Sequence, residues 1–228
     1  MRKDARIVAA DYGGGIAERG VTLSGVGWPD PTDLAVRYEV LLSPIDFLQY
    51  SRERPLRLLD LGCGPGFLLD FLKVNGLLDR IDYMGVDICE TSLEHARKRW
   101  PSQRFEFRDV RDAPFHHNAF DYCVICGAWT SLSGLSFEEM KVLFEETLKA
   151  VWPAVELGVG YNVMSKHVDW ERDDLFHYPL DSMMAFLKAN LSRHVSFRLD
   201  YNLWEASALV SKTPIRRRAQ VPDNWSIL

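Results

Sequence analysis

The residues with the clearest chemical potential are one loop and two acids downstream of it. Asp60-Leu-Gly62-Cys-Gly64-Pro-Gly66 follows a short apolar run and precedes the helical pattern Phe67-Leu-Leu-Asp-Phe71-Leu72. Glycines between a strand and a helix let the main chain turn tightly and approach a ligand with no Cβ in the way. At the carboxyl edge of a parallel sheet, such a loop can hold a dinucleotide pyrophosphate or another adenosine ligand. Two details separate these options. The dinucleotide fingerprint needs its third glycine one place later, where this chain has Phe67, and no Gly-Lys-Ser/Thr follows as in a P-loop. Asp60 stands directly before the loop, where a carboxylate repels pyrophosphate and suits a ligand carrying an ammonium and a sulfonium. Asp87 closes the next strand candidate, 21 residues after Gly66, and a carboxylate there can accept both hydroxyls of a ribose. Asp109 closes a third candidate, residues 105–109. It can accept from an adenine amino group while the Val110 amide donates to the ring. One such acid alone is commonly a turn residue or a helix cap; three at successive strand ends make one adenosine cradle.

The other chemically suggestive strings are weaker. Cys123 and Cys126 form a C-x-x-C, but they lie in a run that reads as a buried strand, and alternation sends the two thiols to opposite faces. No second Cys/His pair accompanies them, so no metal is expected. His116-His117 before Asn118 reads as an exposed turn, and His177-Tyr178 as a possible cleft wall.

Strands alternating with helices must position these residues. Beyond those named, strands are expected at 120–126, 155–164, 194–200 and 203–210. Asp30 and Pro31 mark a helix start whose apolar face is Leu34, Tyr38, Leu41 and Leu42. Thr91-Ser-Leu-Glu94 and Ser136-Phe-Glu-Glu139 fit capping boxes, and residues 180–191 read as helical. The first thirty residues, with Tyr12-Gly-Gly-Gly15 and Gly25-Val-Gly-Trp28, read as an irregular arm. This alternation implies a parallel sheet covered on both faces, with the last two strands joined by a tight turn as an antiparallel hairpin.

Composition bounds the rest. The chain has 228 residues, 47% of them apolar and 26% charged, which excludes collagen-like, disordered and disulfide-dense classes. Its 27 basic and 32 acidic residues give a net charge of −5, so no nucleic-acid partner is expected. The apolar runs are too short to span a bilayer and the first residues too polar for a signal peptide. Four scattered cysteines fit a reducing cytoplasm. The basic stretch Arg216-Arg-Arg218 reads as a solvated tail.

These motifs resemble the class I S-adenosylmethionine-dependent methyltransferases. The likeness is strongest in Leu58-Leu-Asp-Leu-Gly-Cys-Gly-Pro-Gly66, Tyr83-Met-Gly-Val-Asp87, Phe105-Glu-Phe-Arg-Asp109 and Phe120-Asp-Tyr-Cys-Val-Ile-Cys-Gly127. Val26-Gly-Trp28 with Arg37, Tyr161-Asn-Val-Met-Ser165 and Asp200-Tyr-Asn-Leu-Trp-Glu205 look like a small bacterial subgroup. The resemblance implies an α/β fold: a seven-stranded, mostly parallel sheet of order 3-2-1-4-5-7-6, strand 7 antiparallel, with helices on both faces and an N-terminal helical arm. Residues 1–50 would pack over the cofactor site, 51–212 form the methyltransferase core, and 213–228 the basic tail. By position, Gly62 meets the amino group of S-adenosylmethionine with support from Asp60, within a loop that includes Cys63, Gly64 and Gly66. Asp87 holds the ribose, Ile88 packs on the adenine, and Asp109 and Val110 read its edge. Cys126 and Gly127 lie beside the methionine moiety. Trp28 and Arg37 fall near the cofactor, Arg37 as a partner for its carboxylate.

The implied reaction is methyl transfer to a small-molecule or glycan-precursor acceptor, at oxygen or nitrogen, leaving S-adenosylhomocysteine. An oxygen acceptor would usually need a base, and the segment after strand 5 offers His167, with Asp169 to orient it. Trp28, Trp129 and Tyr12 are candidate walls for a cationic centre. Two other readings remain open on the sequence: a catalytically silent cofactor binder and an NAD(P)-dependent oxidoreductase.

Overall fold

The computed structural model describes residues 1–214 except 24, 26 and 29; most of the expected basic tail lies outside the described residues. Its centre is one sheet of order β3-β2-β1-β4-β5-β8-β7, with the short β6 (His177–Tyr178) added beside the end of β5. Strands β1 (Leu56–Leu61), β2 (Ile81–Asp87), β3 (Arg104–Phe107), β4 (Phe120–Trp129) and β5 (Val155–Ser165) run parallel. β8 (Glu205–Ser211) is antiparallel to both β5 and β7 (His194–Arg198). Apart from the two-residue β6, this is the expected order.

Alternation along each strand feeds two cores. Leu56, Leu58, Tyr122 and Val124 meet α2 (Pro31–Leu42) and α3 (Phe67–Val74) on one face. Leu59, Leu61, Cys123 and Ile125 meet α5 (Phe137–Val151) and α6 (Leu180–Asn190) on the other. Cys123 and Cys126 therefore separate, as their spacing requires, and all four cysteines are free thiols. The Asp30 side chain caps α2, and Ser136 with Glu139 forms the capping box of α5.

Local readings differ from the structure in four places. The glycine-rich start is not irregular: α1 spans Lys3–Arg19 and carries Tyr12-Gly-Gly-Gly15 inside it. Three successive glycines cost a helix about 2–3 kcal/mol relative to alanine, so packing must hold it, through buried Ala5, Val8 and Ile16 and ion pairs near its start. α4 (Glu90–Arg99) begins at Glu90 with Cys89 as its cap residue, so Thr91 lies within the helix and forms no capping box. β3 ends at Phe107, leaving Asp109 in the following loop. The hairpin of β7 and β8 is joined by six residues, 199–204, rather than a tight turn.

Candidate functional site

The loop after β1 turns through three left-handed glycines, Gly62 (φ 76°), Gly64 (φ 53°) and Gly66 (φ 85°). A side chain at any of them would be strained. A Cβ on Gly64 would meet nothing within 4 Å, so its bare backbone faces open space. The amides of Gly62 and Cys63 donate to the Val86 carbonyl at 2.7 and 3.1 Å. Asp87 then fastens the loop: one carboxylate oxygen accepts from the Gly64 amide and the other from the Cys89 amide, each at 2.8 Å. Burial raises the Asp87 pKa, opposed by these amide donors.

Asp60 lies one layer deeper. It is 2% exposed and accepts a hydrogen bond from the Tyr83 hydroxyl at 2.7 Å. Burial pushes its pKa up to about 7, with the Asp87 charge adding to the rise.

An open cleft of about 1030 Å³, part of it continuous with solvent, lies along this edge of the sheet. Gly62, Cys63 and Gly64 line it together with Asp87, Ile88 and the pair Asp109–Val110, and so do Trp28, Cys126 and Gly127. α1 contributes Val8, Ala9 and Tyr12 to the same cleft. Ten of the expected cofactor residues thus share one hollow. Asp60, Gly66 and Arg37 do not line it.

Arg37 sits in a buried network. Its Nε donates to Glu205 at 2.9 Å, and its guanidinium carbon lies 4.2 Å from the Trp28 ring centroid. Asn162 donates to the same Glu205 oxygen at 3.0 Å and accepts from the Gly127 amide at 2.8 Å. Arg37 Nη1 is buried with no hydrogen-bond partner. Gly127 (φ 78°) has to be glycine here, because a Cβ would fall 2.1 Å from the Trp28 ring. The Tyr12 hydroxyl donates to the Gly127 carbonyl at 3.0 Å, and burial raises its pKa, so it serves as a donor. Burial likewise raises the Cys63 and Cys126 thiols, which wall the cleft as neutral groups.

The expected base is not brought into the cleft. His167 is exposed in the turn after β5, with its amide donating to Ser165 Oγ at 2.9 Å, because the chain turns outward there. His177 is buried in β6, its Nδ1 2.7 Å from the Ser165 carbonyl oxygen, and does not line the cleft. His116 and His117 are exposed, and no cluster among the described residues has the make-up of a metal site. Sequence reasoning gave no role to Arg111, Asn162 or Glu205. The signal for the last two was visible, as polar residues interrupting apolar strands.

Comparison with known proteins agrees with this geometry. The Methyltransferase domain family matches residues 58–153. The Mycobacterium tuberculosis protein Rv1506c, named as a methyltransferase, is 30% identical over 163 residues, covering 69% of this chain and 94% of its own length. The malonyl-[acyl-carrier protein] O-methyltransferase of Legionella pneumophila is 36% identical over 101 residues, 41% of this chain and 34% of that protein. Among solved structures, magnesium protoporphyrin IX methyltransferase from Synechocystis PCC 6803 with bound SAH superposes with a TM-score of 0.61 at 13% identity, covering 92% of this chain and all of that one.

Proposed function

The chain belongs to the class I S-adenosylmethionine-dependent methyltransferases, and on that premise we propose that it methylates a small-molecule or glycan-precursor acceptor at oxygen or nitrogen. The observation that carries this reading is the convergence of the bare Gly62–Gly64 backbone, Asp87 and Asp109 on one cleft walled by Trp28, Tyr12 and Trp129.

S-adenosylmethionine supplies a methyl group on a positively charged sulfur, open to in-line displacement. The residues present fit this cofactor. Asp87 has lone pairs left for ribose hydroxyls after accepting from two amides. Asp109 and the Val110 amide offer an acceptor and a donor at the adenine end, with Ile88 beside them. The orphaned Arg37 Nη1 is what a carboxylate would satisfy, while Nε is already committed to Glu205. What the chain adds to the reaction is alignment and exclusion of water, which in favourable cases are worth about 7–11 kcal/mol. Tyr12 fixes the Gly127 carbonyl and Asn162 its amide, so the wall beside the reacting end is held from both sides.

The aromatic walls of the cleft support a small acceptor, and the net charge of −5 gives no pull toward nucleic acid. No helix among the described residues is long and apolar enough to cross a membrane; the free cysteines support a reducing, cytoplasmic setting. Turnover to S-adenosylhomocysteine, screened across sugars, lipids, amines and phenols, tests the acceptor class. Calorimetry tests the site: Asp87→Ala should weaken S-adenosylhomocysteine about 100-fold through lost charged hydrogen bonds. Equal affinity in that variant would reject the assignment.

A further inference from the structure

Arg111 stands between the cleft and helix α1. Its side chain is 3% exposed, and it makes two forks at once. Toward the cleft, Nε and Nη2 donate to the two oxygens of Asp109 at 3.0 and 2.7 Å, and the Arg111 amide adds a third bond at 3.0 Å. Toward α1, Nη1 and Nη2 donate to the two oxygens of Asp4 at 2.5 and 3.1 Å. Paired N–H···O contacts of this kind fix direction as well as charge. One guanidinium therefore joins an acid that lines the cleft to an acid on the helix that covers it.

The helix needs such a tie. Its second half carries Gly13-Gly14-Gly15, while its first half holds the charged contacts, with Arg2 reaching Asp112 at 2.9 Å and also Glu146. Val8, Ala9 and Tyr12 wall the cleft only while α1 is docked.

We propose that Arg111 is a positioning residue that couples cofactor binding to the docking of α1, by holding Asp109 and Asp4 in one rigid unit. This rests on the cofactor reading of the cleft. A ligand that takes the remaining acceptor capacity of Asp109 fixes Arg111, and Arg111 fixes the helix. Linkage then requires that α1 docking and cofactor binding strengthen each other by the same factor.

The test uses S-adenosylhomocysteine as the probe, with amide hydrogen exchange of residues 3–19 and calorimetry on the full chain. In the wild type the ligand should slow exchange in α1. Asp4→Asn removes a charge from a partly exposed position and leaves Asp109–Arg111 intact. It should weaken S-adenosylhomocysteine about fivefold, as expected for loss of one charge-assisted contact, and shrink the ligand's protection of α1 by the same factor. Asp4→Glu should restore both. Wild-type affinity and full α1 protection in Asp4→Asn would overturn the coupling alone. No binding by the wild type would overturn the cofactor site, and the coupling with it.

Discussion

Asp60 should make the cofactor-free chain lose stability as the solution becomes less acid. Its pKa rises from an ordinary 3.8 to about 7 in the fold, because burial disfavours the charge more than the Tyr83 hydroxyl favours it. Between those two values the folded chain keeps a proton that the unfolded chain gives up. Stability from this group is therefore full below about pH 4 and is lost as pH rises through about 7. A rise of this size corresponds to about 4 kcal/mol. Burial also raises the Asp87 pKa, so the measurement must isolate Asp60. Asp60→Asn does so, since an amide oxygen can still accept from Tyr83 and carries no charge. Urea unfolding of both proteins across pH 4–8 should show the wild type losing stability relative to the variant by about this amount. A wild-type-minus-variant difference that stays flat with pH would refute the assignment of a protonated Asp60.

The elements that build the cleft were legible because their signals are local. Gly62, Gly64 and Gly66 announce left-handed turns, and Asp87 sits at the end of an apolar strand that sequence alone delimits. Asp30 and Ser136 are caps that read directly from residue type. What was not legible depends on partners far along the chain. α1 is helical despite its glycines because Asp4 and Arg2 meet Arg111, Asp112 and Glu146, more than a hundred residues away. No window of sequence contains that pairing. Arg37 was expected to pair with a cofactor carboxylate. The structure gives its Nε to Glu205, 168 residues distant, and leaves Nη1 without a hydrogen-bond partner. His167 was attractive for its chemistry alone, and only the outward turn after β5 removes it from the cleft.

Two further substitutions probe the wall around Gly127. In Gly127→Ala the new methyl would fall 2.1 Å from Trp28 at a backbone angle of φ 78°. The indole must move, and the variant should lose about 1–3 kcal/mol in urea unfolding, with a shift in tryptophan fluorescence that S-adenosylhomocysteine does not reverse. Glu205→Gln tests the network behind that wall. Glu205 is 2% exposed and is the carboxylate paired with Arg37. Removing its charge leaves a buried guanidinium uncompensated, which should cost about 3 kcal/mol. If Arg37 Nη1 takes the cofactor's carboxylate, S-adenosylhomocysteine supplies the missing anion and should narrow the deficit, measured as the melting temperature with saturating ligand. Adenosine fills the same cradle with no carboxylate and should leave the deficit as it was. Equal recovery with both ligands would mean that the carboxylate is held elsewhere, and Arg37 would then act only to brace Trp28.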